Sequence, residues 1–463
     1  MNDDQLEQVV RSGLRAAADR PVPETLVARA EDIPRSTPRA ARWSWRLQIG
    51  GGAAAAVAAV VLAALAVSVL PPGQGQIAPG TAVTGSASPT SSAGVSAAPS
   101  AGSTVGASSP APTPLPAGPD VPLAGLVDAT HGWAVTGNRL LVTADGGSTW
   151  GDATPPGGFA TGLLGVAFAD AQHGWVAVNG AFTSPSDPGY GRVDVWRTAD
   201  GGRSWLRSRL PPARFHPFGE IMADVQFDFL DARRGFAFLS GNAAKGRNDS
   251  DLFWTADGGV TWSADRPTGT GSVGNEGSVA FATATDGVIV NAFHGTGVVV
   301  TRDGGGTWTD AALAVPSGPA AAPPVMGQPA FTGERSGLLA VYLNQTDAAS
   351  AVWVYGTSDA GASWTALSPV PAGFTQVAFL DQQHWLAADG PELAQTTDGG
   401  KTWTRIQATG LPGAASLSMA DAQHGWALVP MTVCLAFKSD CQSRTGLYST
   451  ADGGRSWVQL EPH

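Results

Sequence analysis

The sequence predicts an all-β chain: a seven-bladed β-propeller with four-stranded antiparallel blades, preceded by a single transmembrane helix and a disordered linker. Three observations carry this. An octapeptide, TADGGSTW at 143–150, returns six more times: TADGGRSW, TADGGVTW, TRDGGGTW, TSDAGASW, TTDGGKTW and TADGGRSW. The aspartates of the seven copies stand 39 to 57 residues apart, the length of a blade of four short strands with variable loops. Ahead of the repeats lies an uncharged run, followed by a stretch with neither charge nor aromatic side chain up to residue 119.

Taken in chain order, residues 1–48 read as a cytoplasmic tail. Leu6, Val10, Leu14 and Ala17 recur at helical spacing, and PETLVARAEDIP offers a second short helix. The tail resembles the short cytoplasmic tails of some bacterial anti-sigma factors. It lacks His and Cys, which excludes their zinc-binding class. Residues 49–70, IGGGAAAAVAAVVLAALAVSVL, are 22 uncharged residues, enough to cross a bilayer as a helix. Trp43, Trp45 and Arg46 flank the span as an interfacial belt would. All eight arginines of the tail precede it, and no Lys or Arg follows until Arg139, which places the N-terminus in the cytoplasm and the body outside. The rival reading, a cleaved signal peptide, needs an unusually long charged leader and finds no clean cleavage site in ALAVSVLPPG. Residues 71–120 are rich in Pro, Gly, Ala, Ser and Thr and form the disordered linker, which spans on the order of 40 Å.

The remainder, 121–463, repeats one unit. An apolar run ends in Asp, a tight turn follows, then two further strands, the octapeptide box and a last strand. The first copy reads PLAGLVD, HGWAVTG, RLLVTAD, GGSTWGDATP. Within a box the Gly-Gly or Ala-Gly pair supplies the positive φ of a tight hairpin. The Asp carboxylate accepts from N–H groups of its own turn, and the Trp points between blades and buries a large area. Asp145, Asp200, Asp257, Asp303, Asp359, Asp398 and Asp452, with Trp150, Trp205, Trp262, Trp308, Trp364, Trp403 and Trp457, are therefore read as scaffold.

The boxes resemble the Asp-box, or BNR, repeat, Ser/Thr-x-Asp-x-Gly-x-Thr/Ser-Trp, of sialidases, sortilin-type receptors, xyloglucanases and photosystem II assembly factors. The HGWA-type turn is most similar to the last of these. The resemblance implies the seven-bladed propeller over 121–463, with the boxes at its rim, where seven positions around a ring cannot converge on one substrate, and it is nearly silent on function. A sialidase would need an arginine triad, a Tyr–Glu nucleophile pair, an Asp acid and an Arg-Ile-Pro motif. The nearest string is RIQ at 405–407, and none of the four tyrosines has an evident glutamate partner. Glu220 and Glu276 remain as carboxylates for a glycosidase.

His131, His173, His384 and His424 share one place in the D-A-x-H-G-W turn, where Arg234 stands in the third blade. A turn tolerates that exchange and a metal-ligand set does not, so neither metal nor cofactor is expected. The net charge of −11 argues against nucleic-acid partners. Arg outnumbers Lys 24 to 3, which suggests a GC-rich bacterial source. Cys434 and Cys441, the only cysteines, are expected to pair as a disulfide in an oxidising compartment. The long insertions fall in the connections opposite the boxes. Tyr190, Arg192, Arg214, Phe215, His216, Lys245 and Arg247 are their candidate ligand-face residues.

Two expectations close the reading. The chain is a membrane-anchored, non-catalytic binding or assembly module for a protein, peptide or glycan. Its alternatives are a sialidase-like glycoside hydrolase and a sensor signalling through the tail. The ring closes by packing of blade on blade, without a strand shared between first and last; pairing of residues near 115–125 with the last sheet would contradict this.

Overall fold

The first blade is built from Leu123–Leu126, Gly132–Thr136, Arg139–Thr143 and Gly151–Asp152, hydrogen-bonded in that order as an antiparallel meander. The same order recurs in blades spanning 163–209, 223–267, 273–310, 325–369, 376–407 and 416–460, which makes a seven-bladed propeller. The computed structural model describes residues 118–180, 192–212, 223–243, 247–263, 266–267, 273–292, 297–313, 324–343, 351–413, 416–434 and 441–463. The expected tail and membrane span lie outside these, as does the expected linker up to residue 117; its last three residues, 118–120, are described. Among the described residues no helix is long and apolar enough to cross a membrane. The described residues up to Thr432, together with 443–463, fall in one compact unit.

Second strands open on continuous apolar runs, as in GWVAV, GVIV and GLLAVYL, because each blade is covered on both faces by its neighbours. All seven residues of Gly337–Leu343 (GLLAVYL) are buried. Fourth strands read as outer edges instead: Leu206–Arg209 and Thr404–Gln407 are largely exposed. Among the described residues the buried apolar side chains fall into several clusters. The apolar clusters straddle blade boundaries, as where Leu338, Ala340 and Val354 of blade five meet Val377, Trp385 and Ala387 of blade six.

A second regularity explains the H-G-W signature. The glycine opening the second strand faces a bulky first-strand residue: Phe168 lies across from Gly174, Phe229 from Gly235, Phe281 from Gly287 and Phe331 from Gly337. A Cβ on Gly235 would sit 2.3 Å from the Phe229 ring. The ring folds over bare backbone, and any larger residue would displace it. Blade six has Trp385 at this place, against Phe379, with the rings edge to face at 5.8 Å.

Two blades depart from the plain meander. In blade five the first strand is broken into Val325–Met326 and Ala330–Phe331, both paired with Gly337–Leu343. Pro329 stands in the break and cannot donate a ladder hydrogen bond. In blade three, Asn248 of the hairpin Gly235–Ala243 and Arg247–Thr255 pairs with Val273 of blade four, joining the two sheets.

The first and last sheets are each complete with their own four strands. The first strands of blades one and seven adjoin, as do those of other neighbours. Packing alone does not close the ring, however. Val121 N–H donates to the Thr445 carbonyl at 2.9 Å, and Thr445 N–H donates to Asp120 Oδ1 at 2.7 Å. The expectation of closure without pairing is corrected to this extent. Thr445 lies beyond the last residues matched by Val458–Leu460, so its edge is open to the incoming chain.

Candidate functional site: two faces of the propeller

Each box is a closed hydrogen-bond circuit. In the first, Thr143 Oγ1 donates to Asp145 Oδ1 at 2.8 Å and accepts from Gly147 N–H at 2.9 Å. Thr149 N–H donates to Oδ1 and its hydroxyl to Oδ2, at 2.8 and 2.6 Å. The same bonds recur around Asp200, Asp257, Asp303, Asp359, Asp398 and Asp452. The opening threonines are all buried. The hydroxyl four residues on, followed by its N–H, holds Asp145, Asp200, Asp398 and Asp452 at a pKa of about 2.

The box is pinned to the turn between the first and second strands of its own blade. The residue after each box Asp donates its N–H to a turn carbonyl: Gly146 to Thr130, Gly201 to Gln172, Gly258 to Arg233, Gly304 to Thr285, Ala360 to Arg335, Gly399 to Gln383 and Gly453 to Gln423. Boxes and these turns therefore share one face.

The second glycine of each box meets the blade before it. A Cβ on Gly147 would lie 2.5 Å from Leu460, on Gly202 2.4 Å from Ala153, on Gly305 2.6 Å from Leu252, and on Gly361 2.2 Å from Val288. The box tryptophans pack at the same seams. Trp205 Nε1 donates to the Ala153 carbonyl at 3.0 Å, Trp262 Nε1 to Ser208 Oγ at 3.3 Å, and Trp150 lies 5.8 Å from Trp426 of blade seven.

The turn histidines are separate from one another. His131 Nδ1 lies 2.9 Å from Asp128 Oδ2, and His173, His384 and His424 pair likewise with Asp170, Asp381 and Asp421. In blade three Arg234 Nε donates to Asp231 Oδ2 at 2.8 Å in the same position. Among the described residues no three His, Cys, Asp or Glu side chains gather as a metal set.

On the box face a cavity of about 380 Å³ opens between blades one and two, walled by Ala144, Asp152, Asp170, Asp200, Gly201 and Arg203. Asp152 is paired with Arg139 at 3.1 Å, and Arg203 donates to the Asp200 carbonyl at 3.0 Å.

The opposite face carries the connections between second and third strands. Arg192 is exposed just before Val193–Thr198, and its carbonyl accepts from Gly180 N–H at 2.7 Å. Arg247 opens the strand Arg247–Thr255, opposite Ala243. Tyr190, Arg214, Phe215, His216, Lys245 and Glu220 lie outside the described residues, and Glu276 falls within Val273–Phe281. Cys434 ends Gly425–Cys434 and Cys441 begins the neighbouring strand Cys441–Thr450; the sulfur pairing itself lies outside the described residues.

Sequence reasoning missed the polar link between the first strands of blades three and four. Gln226 exchanges two hydrogen bonds with the Val279 backbone, at 2.8 and 3.1 Å, and Phe281 N–H donates to Asp228 Oδ2 at 2.6 Å. Burial raises Asp228 to a pKa of about 6, against the Phe281 N–H, which lowers it. Its carboxyl is sunk among protein atoms although the residue keeps some accessible surface. Raised above the unfolded value of 3.8, this group favours folding when protonated, and that contribution is lost as pH rises from about 4 to about 6. Asp228→Asn keeps an acceptor for Phe281 and removes the charge. The pKa difference bounds the gain at about 3 kcal/mol, and partial access to water reduces it to about 1–2 kcal/mol. Urea unfolding at pH 7.5 should show this gain, and at pH 4 it should vanish; no gain at pH 7.5 would refute the assignment.

No protein family matches the chain, and no curated protein does. Among solved structures the chain is similar to YCF48 from Cyanidioschyzon merolae, at 19% identity and a TM-score of 0.42, covering 75% of this chain and 97% of that one. It is similar to the GH74 xyloglucanase from Xanthomonas campestris at 17% identity and a TM-score of 0.47, over 74% of this chain and 55% of that one. A Trypanosoma rangeli sialidase mutant displaying trans-sialidase activity matches at 10% identity and a TM-score of 0.34, over 62% and 53%. These are likenesses of fold and transfer no activity.

Proposed function

We propose that the propeller is an extracytoplasmic binding module for a protein, peptide or glycan, held at a bacterial cell membrane by a helix at 49–70 and a linker at 71–120. One observation supports the non-catalytic reading above the others. The carboxylates repeated in every blade are taken up by the turns that contain them, one per blade, so the repeated chemistry holds the scaffold together. Variable connections on the face opposite the boxes are then the surface free to differ, as loops on a rigid frame commonly do. The orientation rests on the arginines ahead of the apolar run and on the absence of Lys or Arg from the run to Arg139.

The test uses the full chain in detergent or membranes, offered to peptide and glycan arrays and to a panel of fluorogenic glycosides. Binding to an array member is expected, with release of no fluorophore. Joint replacement of Arg192, Arg214, Lys245 and Arg247 by alanine should weaken that binding roughly tenfold or more, the scale of losing several charge-assisted contacts. Turnover of any glycoside would refute the reading, as would array binding indifferent to the four substitutions.

A further inference from the structure

On the box face, two neighbouring blades bound a groove between them. One wall is the second residue of the earlier box, and the other is the backbone of the later one. Between blades four and five this groove holds Arg302, the second residue of TRDGGGTW. Arg302 Nη1 donates to the Ala360 carbonyl at 3.1 Å and to Asp286 Oδ1 at 2.8 Å, and Nη2 donates to the Asp359 carbonyl. The amide hydrogens of this hairpin go to its own Thr357 and Asp359 oxygens and to the Arg335 carbonyl, while the Asp359 and Ala360 carbonyls are bridged from the preceding blade by the planar guanidinium.

In blade one the same position is Ala144, and the side chain that fills the blade-four groove has no counterpart. The cavity of about 380 Å³ lies there, between Ala144 and the Asp200–Gly201 backbone, at the small end of ligand-pocket sizes. Its wall carries the carboxylates of Asp152, Asp170 and Asp200, all held below the ordinary range: hydrogen bonds lower Asp152 and Asp200, and at Asp170 burial acts upward but the His173 and Gln172 N–H bonds outweigh it. Arg203 and His131 are the basic side chains on the wall, and Arg203 already donates to the Asp200 carbonyl. Carboxylates outnumber them, and the carbonyl retains a second lone pair.

We propose that the groove between blades one and two receives an arginine side chain from a peptide segment of a partner protein, with the Asp200 and Gly201 carbonyls as counterparts of those of Asp359 and Ala360, and with Asp152 and Asp170 as the carboxylates in place of Asp286, whose position in blade one is His131. This is a second binding site, on the face opposite the variable connections, and it stands whether or not those connections bind a ligand.

The test is fluorescence anisotropy of a labelled tetra-arginine peptide with the full chain, beside a tetra-citrulline peptide of equal size and no charge. The arginine peptide should bind at least ~10-fold more tightly than the citrulline one, as charge-assisted bonds to carboxylates and carbonyls require. Ala144→Arg fills the groove from within and should weaken binding by ~10-fold or more. Leu206→Arg adds the same charge on an exposed outer strand of blade two and should change affinity less than ~2-fold. Arg302→Ala empties the groove between blades four and five and should add one peptide per chain to the number bound by the unaltered protein. Equal binding of the citrulline peptide would overturn the proposal. So would an unaffected Ala144→Arg variant, a loss of the same size in both arginine variants, or unchanged stoichiometry in a folded Arg302→Ala chain.

Discussion

Gly202→Ala should destabilise the propeller by about 2–4 kcal/mol, whereas Gly146→Ala should cost about 1 kcal/mol. Both glycines belong to a box and both hold positive φ, +87° and +72°. An L-residue there costs about 1–2 kcal/mol, and alanine returns about 0.4–1 kcal/mol by stiffening the unfolded chain. The difference lies in what a methyl group meets. At Gly146 the nearest atom is the Ala129 carbonyl oxygen at 3.5 Å, an ordinary contact. At Gly202 it is the Ala153 Cβ at 2.4 Å, with Ala153 Cα at 3.4 Å behind it. Alanine has no rotamer with which to yield, so two blades must part, at about 1–3 kcal/mol of overpacking. Urea unfolding of the two variants checks this. Equal losses would show that the seam has more room than the structure gives it.

Acid should unfold the protein steeply between pH 4 and pH 2. The box aspartates have folded pKa values below their unfolded value of 3.8, about 2 at Asp145, Asp200, Asp398 and Asp452 and lowered at Asp257, Asp303 and Asp359. A depressed carboxyl contributes stability that is complete above pH 3.8 and is lost as pH falls through about 2. Asp128, in a turn, is also held at about 2, because His131 and Thr130 N–H bonds outweigh burial. Asp228 acts in the opposite sense at higher pH, so stability should be greatest near pH 4–5, fall mildly toward neutrality and collapse below pH 3.5. Melting followed by circular dichroism from pH 2 to pH 8 reads the profile. A melting temperature at pH 2.5 equal to that at pH 5 would contradict it.

The fold was legible because its determinants are local and repeated. Thr143, Asp145, Gly147 and Thr149 lie within seven residues, so a short string carries the whole circuit, and seven copies at blade spacing carry the ring. What escaped the sequence is long-range and unrepeated. Nothing in QPAF announces that Pro329 splits a first strand, and nothing near Asn248 announces its pairing with Val273. The seam between Val121 and Thr445 joins residues more than 300 positions apart by backbone groups, which have no composition to read. Gln226 and Asp228 look like surface residues of an alternating strand until the next blade's edge is placed beside them. Arg302 stands where four other boxes have alanine, yet its significance needs the next box's carbonyls in view. For the ligand face the sequence supplied only loop lengths and side-chain types, since insertions have no period and no partner in the chain.

The attachment at Thr445 has a mechanical side. Tension applied to the polypeptide ahead of Gly118 reaches the last blade, through Asp120 and Val121, before it reaches the first sheet. The two bonds to Thr445 act as a strain relief across the joint, so a tug from that direction is shared by both ends of the ring.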